Sequence, residues 1–226
     1  MINGMSRIPS HVLRQSIFAV ALIAAAGFFF QACAHGPDRR DDGPWSDRLY
    51  NRYDHKSFRK FKPAGQAIER GKLDRSLLAA AIFYTTNEQR AKHNLPPLVF
   101  YGALAEAAAE HSSAMMHRNF FSHNNPADKK GRTPDERFKQ HKIPLGEWGE
   151  NIAKTPVDEK KGETYLAFAK KLVKQWMNSR EHRKNILDPG FKYLGCGVAA
   201  AKGKDGFFYI ASTQDFSSKA SPQARN

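Results

Sequence analysis

The stretch Ser179-Arg180-Glu181-His182-Arg183-Lys184-Asn185-Ile186-Leu187 follows a helical run that ends at Trp176 and precedes a Pro189–Gly190 break and a β-like run. A histidine at the handover from helix to sheet is well placed to face a cleft. Two earlier stretches offer partners: Phe120-Phe121-Ser122-His123 and Gly149-Glu150-Asn151-Ile152-Ala153. Two imidazoles and a carboxylate are the minimal kit for a metal site or for acid–base chemistry. Local spacing alone does not bring them together.

Further motifs surround these three in a fixed order. They are Asn87-Glu88-Gln89-Arg90 with His93-Asn94-Leu95-Pro96-Pro97-Leu98, and His111-Ser112 with Met115. Gly131 follows with Thr133-Pro134 and Arg137, then Trp176 through Leu187, Gly195-Cys196-Gly197-Val198, and Tyr209 with Gln214 and Phe216. The ordered set resembles the CAP superfamily (cysteine-rich secretory, antigen 5 and pathogenesis-related 1 proteins; the SCP domain), in its bacterial branch, over about residues 73–217. The resemblance implies an α+β fold: a three-layer α/β/α sandwich around a small, mostly antiparallel sheet. It places His123 and His182 as the two cavity histidines and Glu150 beside them, as a third metal ligand or as acceptor of a hydrogen bond or a metal-bound water. A divalent cation such as zinc is the implied cofactor, with no organic cofactor. The second cavity glutamate of the eukaryotic relatives has no counterpart here, because Met177, Asn178 and Ser179 follow Trp176.

The 226 residues suit one domain with appendages. Residues 1–34 read as an export signal: Arg7 and Arg14 precede an apolar run, Ser16 to Phe30, that is short for a bilayer span of ~20 residues. Phe30-Gln31-Ala32-Cys33 resembles a lipobox whose Cys33 would carry lipid. Ala32-Cys33-Ala34 also fits ordinary signal cleavage, and an uncleaved anchor is a third reading. We favour lipidation at Cys33, which makes the membrane a partner through that lipid and the protein an anchored lipoprotein of the envelope or periplasm, secreted otherwise. Cys196 then has no intrachain partner, and its alternating, small-residue strand reads as holding a buried structural thiol.

Residues 35–72 read as a polar linker, although Trp45, Tyr50, Tyr53, Phe58 and Phe61 suggest that its second half docks. The domain follows at 73–217 and a disordered tail at 218–226. The formal charge of +14 and sequence pI of 9.8 allow attraction to an anionic envelope surface. Interspersed acids favour a merely solvated basic surface, and nucleic acid is not the expected partner.

Expected helices run over about 73–93, 101–119 and 163–178. Thr133, Pro134 and Glu136 form a capping box for a short helix. A hairpin is expected from Tyr193–Ala201 and Phe207–Ser212 across an Asp205-Gly206 turn. His111 lies on an apolar helical stripe and reads as a core residue, Arg137 as a donor to a loop, and the two aromatics Phe120 and Phe121 as a clamp on His123.

No Walker loop, Cys-x-x-Cys pair, His-Glu-x-x-His helix or dinucleotide fingerprint is present. Two function classes remain. The first is an exported envelope module whose His/Glu cleft binds a divalent metal and a small or lipidic ligand. The second is a metal-dependent hydrolase of an envelope polymer, peptide or nucleic acid, with His123, Glu150 and His182 as the catalytic set. The sequence does not decide the oligomeric state.

Overall fold

The computed structural model describes residues 44–221. The export signal, Cys33, the first residues of the expected linker and the end of the expected tail lie outside the described residues.

Within the described residues one sheet forms the middle layer. Its strands lie in the order β1 (Val99–Phe100), β3 (Tyr193–Lys202), β4 (Phe208–Ser217) and β2 (Trp148–Pro156). β1 pairs with β3 in parallel; β3–β4 and β4–β2 are antiparallel. Helix α2 (Gly102–His117) covers one face. Helices α1 (Arg75–Lys92), α4 (Tyr165–Asn178) and α5 (Arg180–Leu187) gather on the other side, and the short α3 (Pro134–Gln140) flanks α2. The expected α+β sandwich with a small, mostly antiparallel sheet is the observed fold.

Two glycines set the contact between α2 and the sheet. A Cβ on Gly195 would lie 2.1 Å from the Ala105 backbone nitrogen, and one on Gly197 would lie 2.1 Å from that of Ala109. One helical turn separates the two contacts, which suits the rise between alternate strand residues. Ser112 on α2 fixes the register, donating to the Gly197 carbonyl at 3.0 Å and pairing with Thr213 at 2.8 Å.

The local signals account for several boundaries. Asp74 caps α1 by accepting from the Leu77 amide at 2.9 Å, and the Thr133/Glu136 capping box opens α3. Cys196 is 2 % exposed within β3, and burial pushes its thiol pKa up, as suits an inert structural thiol. The hairpin turn holds Gly206 at φ +85, and Asp205 accepts from the Phe207 amide.

Two expectations need correction. The docking suggested by the aromatics of the 35–72 segment is observed, but it amounts to core burial and not to a docked linker: Trp45, Phe58, Phe61, Ala64 and Ile68 are buried in the same cluster as α1 and α4. Phe58 stacks on Tyr84 with ring centroids 4.4 Å apart, and Tyr50 stacks on Phe100 at 3.7 Å. Arg59 pairs with Glu88 on α1. The physical reason is that α1 is apolar nearly all round, from Leu77 to Tyr84, so the sheet and α4 leave one side of it to be covered. At the other end, the first residues of the expected tail are docked: Ser218 donates to the Glu147 carbonyl, and the Ser221 amide reaches the Tyr101 hydroxyl.

The aromatic segment should therefore contribute to global stability. Trp45→Ala is expected to cost about 3–5 kcal/mol in urea unfolding. A loss below about 0.5 kcal/mol, the range for an uninvolved surface residue, would return the segment to linker status.

Candidate functional site

Strand β2 is an edge strand, and the site is built along it. An open edge presents unpaired carbonyls that need partners. Here the helical layer supplies them. Asn185 donates to the Glu150 carbonyl at 3.2 Å, Trp176 to the Ile152 carbonyl at 3.1 Å and Lys171 to the Pro156 carbonyl at 2.8 Å.

Glu150 lies in β2 with its side chain 1 % exposed. Both its oxygens are engaged. His123 Nδ1 donates to Oε1 at 2.7 Å, and Arg137 Nη2 from α3 donates to Oε2. Burial alone would push the Glu150 pKa up. The His123 hydrogen bond and the Arg137 charge overcome it, and the carboxyl is held below its ordinary range. Because the carboxylate is ionised, the proton of this hydrogen bond sits on Nδ1. In the neutral imidazole Nε2 is then the nitrogen that keeps its lone pair, on a side chain that is 50 % exposed.

The loop carrying His123 is held from two sides. His111 in α2 donates from Nε2 to the Ser122 carbonyl at 3.0 Å, and Arg137 Nη1 donates to the His123 carbonyl at 3.1 Å. The expected aromatic clamp is only half present. Phe120 packs beside Met115 and His111, whereas Phe121 is 54 % exposed. His111 is the working support. Burial holds its pKa down to about 4, so the imidazole is neutral at pH 7, and its Nδ1 has no partner among the described residues.

His182 enters from α5, on the other side of the β2 edge. Its carbonyl accepts from Asn151 at 3.1 Å. Asn151 also bonds Gln214 at 3.2 Å and Asn185 at 2.9 Å, and Gln214 reaches Thr86 on α1 at 2.6 Å. Arg90, fully buried on α1, caps the end of α5 by donating to the carbonyls of Ile186 at 2.9 Å and Asp188 at 2.8 Å. These amide and guanidinium contacts fix the backbone of α5 and leave the His182 ring half-buried. Desolvation, followed by repulsion from a charge on His123, holds the His182 pKa below its usual value. The imidazole is neutral at pH 7.

His123 and Glu150 are thus in direct contact, and His182 shares their electrostatic environment without a hydrogen bond to either. Among the described residues, no group of three or more His, Cys, Asp and Glu side chains is arranged to hold a metal ion. Arg137 does more than the loop support read from sequence, since it is also the cation that pairs with Glu150. A second buried carboxyl, Asp215 in β4, faces Glu150 across the sheet. Its neighbours Gln214 and Phe216 belong to the ordered motifs, but nothing in the sequence alone marks Asp215 itself.

The titration of His111 gives a stability test. Its folded pKa lies below the usual 6.5, so the unfolded chain binds the proton first as the pH falls. Stability should drop between pH 6.5 and about 4, by up to about 3 kcal/mol. Urea unfolding at pH 7 and pH 4.5 checks this. His111→Gln, which keeps a side-chain donor for Ser122, should flatten that part of the profile. An unchanged slope would remove His111 as its source.

The sequence profile of the cysteine-rich secretory protein (CAP) family matches residues 83–216. The uncharacterized protein YkwD of Bacillus subtilis is 38 % identical over 115 residues, which is 50 % of this chain and 38 % of that protein. The uncharacterized membrane protein YlbC of the same organism is 32 % identical over 137 residues, 61 % of this chain and 36 % of that one. The chain therefore spans less than two-fifths of either curated relative. A crystal structure of an extracellular protein containing an SCP domain from Bacillus anthracis is 33 % identical, with a TM-score of 0.50, and covers 64 % of this chain and 41 % of that one. The profile match takes in α2, the His123 loop, all of β2, α5 and most of β4, and on that extent the chain belongs to the cysteine-rich secretory protein (CAP) family.

Proposed function

We propose that the chain is an exported cell-envelope CAP protein whose His123/His182 cleft binds a divalent cation and, with it, a small or lipidic ligand. The observation that carries this reading is the hydrogen bond from His123 Nδ1 to Glu150. A carboxylate behind one ring nitrogen fixes the tautomer and raises the basicity of the other, as in metal sites that use histidine. His182, neutral at pH 7, supplies a second nitrogen of the same softness.

The donor set fits an exchangeable ion such as zinc, bound by two imidazole nitrogens, better than a structural ion with four protein ligands. Glu150 would serve from behind His123, since its own oxygens are committed to His123 and Arg137. His123 and His182 would hold such a cation with two nitrogens only, which would leave it able to polarise an oxygen-bearing ligand. The same commitment weighs against the hydrolase reading, in which Glu150 is the base: a carboxylate held below its ordinary pKa range by two donors is a weak proton acceptor.

Export rests on the N-terminal signal pattern and on the extracellular description of the Bacillus anthracis relative. No helix among the described residues is long and apolar enough to cross a membrane. Attachment through a lipid on Cys33 remains part of the proposal.

Calorimetric titration with zinc tests the cleft. Wild-type protein should bind one ion. His123→Ala and His182→Ala should each weaken binding at least about tenfold, and Glu150→Gln, which neutralises the carboxylate behind His123 and beside Arg137, by about 10–100-fold. Equal affinity in wild type and both histidine variants would eliminate the site.

A further inference from the structure

We propose that Asp215 is a neutral carboxylic acid that donates its proton to Glu150, and so acts as a positioning residue behind His123. Asp215 sits in β4 directly opposite Glu150 in β2 and Gly195 in β3. Facing side chains on adjacent strands start only about 5 Å apart. Asp215 is 0 % exposed, and neither of its oxygens accepts a hydrogen bond from any donor among the described residues. Over the same row, α2 approaches so closely that Gly195 has no room for a Cβ.

Burial without a donor decides the protonation state. The buried cluster holds one guanidinium, Arg137, and two carboxyl groups, Glu150 and Asp215. His111 is neutral at pH 7, and the Cys196 thiol on β3 is neutral through burial. His123 contacts Glu150 from the exposed side of the cluster. Ionising both carboxyls would leave an anion in the interior with no donor, which costs several kcal/mol. Keeping the proton on Asp215 removes that charge and turns an unpartnered group into a donor. Burial, reinforced by the negative charge of Glu150, pushes the Asp215 pKa well above the ordinary carboxyl range, against the weaker opposing pull of Arg137. Glu150 and Asp215 are direct cross-strand partners, so their two buried side chains project from the same face of the sheet.

The consequence is a relay of position, Asp215 to Glu150 to His123. Glu150 would then accept from three directions: β4 behind, α3 on one side and the His123 loop in front. Each further donor narrows the orientations of the carboxylate and keeps the His123 proton on Nδ1. The relay belongs to the protein alone and does not depend on a bound cation.

Infrared spectroscopy of the folded protein at neutral pH tests it. The wild type should show a protonated-carboxyl C=O band that is absent from Asp215→Asn, and the Asn variant, which retains a neutral donor, should remain folded. Absence of the band in wild type would mean that Asp215 is an anion served by Arg137 through water, and would overturn the proposal. So would failure of Asp215→Asn to fold. Nitrogen-15 NMR of the imidazoles supplies the positioning readout. The hydrogen-bonded Nδ1 proton of His123 should persist in Asp215→Asn and be lost in Asp215→Ala. Its persistence in a folded Asp215→Ala would reduce Asp215 to a packing residue.

Discussion

The site depends on one buried ion pair, Glu150 with Arg137. A carboxylate that is almost wholly removed from water requires a cation and further donors, or it takes up a proton. Arg137 meets that requirement from α3, and its second nitrogen holds the backbone of His123. One guanidinium therefore fixes both ends of the His123–Glu150 contact. This explains why a short helix of seven residues, opened by a capping box, matters to the placement of His123.

The position of the site follows from the strand order. Only at an edge strand can loops from both faces of a sheet approach each other. β2 is such an edge, so the α2–α3 loop reaches it from one face and α5 from the other. The side chains that complete the edge carbonyls, from Asn185, Trp176 and Lys171, also protect β2 from pairing with another chain. Edge protection and placement of His182 are thus one arrangement, since Asn185 and His182 share α5.

Much of this could be read from the residues. Capping signals, the Asp-Gly turn and the alternating Gly195-Cys196-Gly197 run depend on local chemistry and were legible, as were the helices. The ordered motifs singled out three candidate residues, and two of them, His123 and Glu150, are in contact. Other features were hidden for physical reasons. β4 runs on to Ser217, beyond the expected Ser212, because its polar residues are buried: Thr213 and Gln214 have partners on α2, β2 and α1, and Ser212 and Asp215 lie buried beside them. A polar run of that kind reads as solvent-facing until the tertiary partners are known. Residues 45–68 were half legible: their aromatics signalled docking, but that they form part of the core follows only from the bare side of α1. Arg137 and His111 read as supports, but their joint hold on the His123 loop is a long-range fact that no spacing encodes.

A double-mutant cycle on the Glu150–Arg137 pair tests the central claim most directly. Urea unfolding would be compared for wild type, Arg137→Met, Glu150→Gln and the double variant at neutral pH. The account predicts that Arg137→Met alone costs about 3–5 kcal/mol, because it strands a buried carboxylate. Adding Glu150→Gln to it should recover a large part of that loss, giving a coupling of at least about 2 kcal/mol. Losses that add to within about 0.5 kcal/mol would contradict the account, since the two side chains would then be independent.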